Sequence, residues 1–166
     1  MDYYIKGEIN KMEVCINLKR TTNKEDLEII KDIKENYEFA LFLLQSKLKL
    51  CNVYVMITNY DMRTNGSQIY RVEHRKRTMI KINFEEMRED YIYKLWKQRY
   101  SKEYLPKKLS ILDHSLFILL HEIAHYIRKD HLRWSKDMCV IEQEHAEIDC
   151  DIKALKYLKL LRTLYK

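Results

Sequence analysis

The chain runs to 166 residues, of which 46% are hydrophobic and 34% charged, with a formal net charge of +6. That length and apolar content suit one domain, residues 1–166, with a single core that needs no disulfide staples. No stretch approaches the ~20 apolar residues of a membrane span, and the opening MDYYIKGEIN carries neither an apolar h-region nor an Arg-rich amphipathic pattern, so a soluble cytoplasmic protein without membrane contact is expected.

Two glycines and one proline are the only strong punctuation, so the elements are read from periodicity. Met12, Val14, Ile16 and Leu18 alternate with polar neighbours, the two-residue period of a half-buried strand. From Glu25 the period lengthens: Leu27, Ile30, Ile33, Tyr37, Leu41, Leu44 and Leu48 predict one face of a long helix. CNVYVMIT, residues 51–58, alternates again through Val53, Val55 and Ile57, and the Asn65-Gly66 pair predicts a turn. Short strands over 68–73 and 78–84 follow, then a surface helix over 85–100 and a connection holding Pro106. Ser110 with Asp113 three residues on resembles a helix start, opening helices over 110–129 and about 137–164. The class is α+β, a small mixed sheet of about three or four strands packed on long helices.

Charge and cysteine use are less pointed. The run RVEHRKR, with Arg71, Arg75, Lys76 and Arg77, reads as a hairpin turn first and a nucleic-acid patch second. Cys15, Cys51, Cys139 and Cys150 form no CxxC pair, so buried free thiols are expected rather than a redox or cysteine-zinc motif.

The informative stretch is LFILLHEIAHYIRKDH, residues 116–131. His121 and His125 lie four apart, so on a helix their imidazoles point the same way and can grip one ion. Glu122 is turned from them by about 100°, where a carboxylate reaches an ion-bound water rather than the ion. The preceding turns are apolar all round, which predicts that this helix is covered and that its imidazoles are not idle surface groups. Downstream, Glu147, Asp151, Ala154, Leu158 and Leu161 share one helical stripe, so two carboxylates open a face that should be buried. Burying a carboxylate without compensation costs several kcal/mol, and Zn2+ held by His121 and His125 supplies the compensation. Glu147 then fits as third ligand, and Asp151 as acceptor for the free ring N–H of His121.

This HExxH helix followed by a glutamate helix resembles the gluzincin zinc metallopeptidases. The matching residues are His121, Glu122, His125, Glu147 and Asp151, and EIDCDIKAL is similar to the ExEADxxAL segment of the minimal gluzincins, with Asp149 and Cys150 in place of the usual Glu and Ala. Small soluble forms, including the ImmA/IrrE type, also set strands ahead of the two helices. The resemblance covers roughly residues 78–158. It implies a zinc-dependent intracellular endopeptidase with Glu122 as general base and acid, acting on a polypeptide, a specific regulatory protein being the kind of substrate expected. The chain offers no counterpart of the His or Tyr that larger gluzincins carry downstream to stabilise the transition state.

His131 opens a rival ligand set, since His121, His125 and His131 have the HExxHxxGxxH spacing, although Arg128 stands at the glycine position. His114 reads as a structural hydrogen-bonding residue, His74 and His145 as exposed, and Trp134 as a core side chain. The strand over 78–84 is the expected sheet edge for an extended peptide. A rival function is a catalytically silent, zinc-stabilised module contacting nucleic acid through Arg71, Arg75, Lys76 and Arg77, and oligomeric state is not legible.

Overall fold

A computed structural model of the protein describes residues 12–60, 67–88, 110–134 and 137–164. The order of elements is β1 (Glu13–Asn17), α1 (Lys24–Leu48), β2 (Val53–Thr58), β3 (Ser67–Val72), a 3-10 turn (Glu73–Arg75), β4 (Arg77–Asn83), α2 (Phe84–Arg88), α3 (Ile111–Arg128), α4 (Asp130–Arg133) and α5 (Val140–Leu164). The class is α+β, and the sheet is four-stranded and mixed, in the order β1-β2-β4-β3. β1 and β4 run parallel to β2, and β3 runs antiparallel to β4.

α1 is the crossover between the parallel pair β1 and β2, which a hairpin cannot join. Asn23 starts it, its side-chain oxygen accepting the Asp26 amide at 2.8 Å. Ile30, Ile33, Tyr37, Leu41 and Leu44 are buried along the predicted stripe. The Tyr37 hydroxyl donates to the Ser115 carbonyl at 2.8 Å, which satisfies a buried phenol and ties α1 to α3. One register row, Val14–Val55–Ile80–Ile69, crosses all four strands, and its first three residues are buried in the core. The alternation expected of β1 holds at Val14 but fails at Ile16, which is 37% exposed because β1 is an edge strand.

The expected sheet edge is corrected. β4 is an inner strand, its Lys81 paired with Met56 on one side and Gln68 on the other, so it has no free edge for a peptide. The edge on the α3 side is β3 instead. β4 also stops at Asn83, whose Oδ1 accepts the Glu85 amide at 2.9 Å and opens α2, while Phe84 turns into the core. The remainder of the helix predicted over 85–100, the Asn65-Gly66 turn and Pro106 lie outside the described residues. The thiol expectation is corrected as well: Cys150 is buried, whereas Cys51 and Cys139 are exposed and Cys15 is intermediate. No helix among the described residues is long and apolar enough to cross a membrane.

Candidate metal centre

α3 begins where Ser110 Oγ accepts the Asp113 amide at 3.1 Å. Leu116, Phe117, Ile118, Leu119 and Leu120 are all buried, so the helix enters the site already enclosed on every side. α5 packs along it, burying Ala146, Cys150, Asp151, Ala154, Leu158 and Leu161.

Where the two helices meet, three donors converge. The Nε2 atoms of His121 and His125 stand 3.1 Å apart. Glu147 brings Oε2 to 3.2 Å from the first and Oε1 to 3.4 Å from the second. Zinc bonds of about 2.0–2.1 Å in tetrahedral arrangement imply donor separations of about 3.3 Å, close to the His121–His125 spacing; the nearest Glu147 oxygen differs for the two rings, and the three residues offer one donor each within 4.8 Å of one another. Two imidazole nitrogens and a carboxylate are also a donor set that zinc accepts in catalytic sites.

Each ring is fixed from behind. His121 Nδ1 lies 2.6 Å from Asp151 Oδ1, the contact the helical stripe predicts. His125 Nδ1 lies 2.9 Å from Asp130 Oδ2. With each carboxylate accepting the N–H on Nδ1, Nε2 is the ring atom that faces the other imidazole and Glu147. Asp130 escapes a reading by helical period, because α3 ends first. Lys129 takes a left-handed backbone (φ 62°) and its N–H returns to the carbonyls of His125 and Tyr126. That reversal swings Asp130 under His125. The one sequence signal was an aspartate just past the helix end. Arg128 holds it there, Nε donating to Asp130 Oδ2 at 2.9 Å and Nη1 to Asp149 Oδ2 at 2.8 Å. Trp134 sets its ring edge-on to His125 at 5.5 Å, a contact that the sequence reading, which gave Trp134 to the core, did not foresee.

Glu122 is 5% exposed, and its Oε1 accepts a hydrogen bond of 2.5 Å from Ser67 Oγ. Ser67 is the first residue of the edge strand β3, so the carboxylate beside the donors is tied to the sheet edge. Sequence spacing could not suggest this partner, 55 positions away.

Among the described residues, the carboxylates of Asp130, Glu147 and Asp151 contact the two imidazoles, and Arg128 pairs with Asp130. Burial works to lower the His121 pKa, yet its hydrogen bonds to Asp151 and Glu147 outweigh it and raise the pKa to about 10. Burial likewise works to raise the Glu147 pKa, and its bonds to His121 and His125 hold it well below the usual carboxylate range. A proton on His121 thus takes the place of positive charge that a cation would supply. The Cys150 thiol is pushed far up by burial and then by Asp130, whose Oδ2 is 3.9 Å away, so it is a poor thiolate donor.

His131 is elsewhere. Its ring stacks on Tyr126 at 5.7 Å, and it does not belong to the converging group among the described residues. His114 is buried outside that group and His145 is exposed, while the His74 side chain lies outside the described residues. The basic run is divided: Val72 pairs with Arg77 across a hairpin, Arg77 lies over the Tyr54 ring at 4.4 Å, and Arg71, Arg75 and Lys76 are exposed. A scan against protein-family models and searches of curated proteins and of solved structures return no match to this chain.

Proposed function

We propose that the protein is a small gluzincin-type zinc metallopeptidase of the cytoplasm, an endopeptidase cutting one or a few specific protein substrates. The observation that carries this reading is the convergence of His121 Nε2 and His125 Nε2, 3.1 Å apart, with Glu147, which sets one oxygen 3.2 Å from the first and the other 3.4 Å from the second, each imidazole being oriented by its own aspartate. Zinc held there would polarise a scissile carbonyl and bring the pKa of a bound water to about 7. Glu122 would serve as the group that accepts a proton from a water in the site and passes it to the amine of a cleaved bond. Ser67, donating to Glu122 Oε1, ties that carboxylate to the start of β3. Asp151 and Asp130 keep both rings in the one tautomer that presents Nε2. Among the described residues no strand pairs with the outer edge of β3, which begins at the residue that touches Glu122 and is the edge where an extended peptide would add.

Metal analysis of the purified protein, with a lysate assay beside it, tests both halves. About one zinc per chain is expected, lost on His121→Ala, His125→Ala or Glu147→Ala. Glu122→Gln should keep the metal and lower cleavage by about 100-fold or more. N-terminal mapping of host lysate treated with wild type or Glu122→Gln should show one or very few wild-type-only cuts. Bound zinc with no such cut would turn the reading to a catalytically silent metal-stabilised module. Retained zinc in Glu147→Ala with loss in His131→Ala would overturn the ligand set.

A further inference from the structure

α5 carries apolar side chains on two faces. Ala146, Cys150, Ala154, Leu158 and Leu161 form the buried stripe of a helix that packs along α3. On the outward side Ile141, Ile148 and Ile152 are 65%, 38% and 37% exposed, and Leu155 beside them is half-buried. Single apolar residues are ordinary on a protein surface. These four follow one another at seven, four and three positions, which is the spacing of the seam between two paired helices.

Charge identifies the occupant. The exposed acids of α5, Glu142, Glu144 and Asp149, all belong to its N-terminal half, and its exposed bases, Lys156, Lys159 and Arg162, to its C-terminal half. Two copies of α5 laid antiparallel about a two-fold axis therefore set acid against base at both ends of the contact, whereas a parallel pair sets like against like. Asp149 and Arg162 also pair within the chain, with Arg128 and Asp113, while Glu144 and Lys159 are in no ion pair among the described residues. We propose that the protein pairs with a second copy of itself through the outward face of α5, as an antiparallel two-fold dimer centred on Ile152. In that register Ile152 meets its own copy, Ile148 faces Leu155 of the second copy, Glu144 faces its Lys159 and Asp149 its Lys156. The dimer does not rest on the metal chemistry proposed above, because Glu147 and Asp151 are on the side of α5 that meets α3.

Sedimentation velocity of the full-length protein over a series of micromolar concentrations should give twice the chain mass. Ile152→Glu sets two carboxylates against each other on the axis and should give monomer, with circular dichroism confirming that the helices remain. Should Ile152→Glu not fold, two exposed charge variants carry the same test. Glu144→Lys and Lys159→Glu each turn two attractive pairs into two repulsive ones, and each should weaken association by about tenfold. Mixing the two variants should restore it, because both contacts of the mixed dimer again join opposite charges. Weakening of each variant alone with rescue on mixing is the pattern of an antiparallel pair, since in a parallel pair the wild type would already hold like charges together. A wild-type protein that stays monomeric throughout would overturn the proposal, and so would a dimer that Ile152→Glu and both charge variants leave intact.

Discussion

α1 and the α3–α5 pair are both buried in the same core, yet they bury different things. Past its capping Asp26, α1 hides apolar side chains and a single phenol whose hydroxyl is satisfied. The α3–α5 junction hides Glu122, His125, Asp130 and Asp151, with Ser67 donating to Glu122, Asp130 paired with His125 and Asp151 paired with His121. The first region is built for stability alone, because every buried contact there gains from leaving water. The second carries groups whose burial opposes folding unless their charge is compensated.

The comparison breaks most visibly by substitution on each side. Leu44→Ala in α1 should cost about 2–5 kcal/mol of stability through a cavity, while zinc content per folded chain stays the same. Denaturant unfolding alongside metal analysis reads both, and a Leu44→Ala protein that folds but holds no zinc would show that the two regions are not separable. Asp130→Asn should do the reverse, leaving the fold and lowering zinc affinity by about 10- to 100-fold in chelator competition, as should Asp151→Asn. Unchanged affinity in Asp130→Asn would leave that residue an ordinary helix-end acid.

Acidity sharpens the contrast. In chelator-treated protein the folded His121 pKa, about 10, is above its unfolded value of about 6.5, because Asp151 and Glu147 outweigh the opposing effect of burial. A raised pKa means that this stabilisation is complete below about pH 6.5 and fades as the pH rises through about 10. Thermal melts of the metal-free protein should therefore fall across that window, and those of metal-free Asp151→Asn should fall less. Equal slopes would mean that the imidazole is not held by Asp151. The smallest effect belongs to the hinge between α3 and α4. Lys129 in a left-handed conformation costs about 1–2 kcal/mol, and the extra freedom of an unfolded glycine offsets about half, so Lys129→Gly should stabilise by about 0.5–1 kcal/mol. Destabilisation in the same unfolding assay would place the strain elsewhere.

Local periodicity was enough to find the long helices, three of the four strands nearly to the residue, and the facing sets His121/His125 and Glu147/Asp151, because these depend on which side chains share a face a few residues apart. It could not order the sheet. Inward β4 and outward β3 both alternate acceptably, and only the crossover through α1 and the return of β4 against β2 decide which strand has a free edge. Asp130 was invisible for a related reason: it follows a left-handed break, so its position under His125 has no helical phase to betray it. The same break turns His131 toward Tyr126, so among the described residues it lies outside the group of His121, His125 and Glu147. Ser67 meets Glu122 only because the sheet edge and the helix α3 are packed together, a contact between distant segments that tertiary structure alone creates.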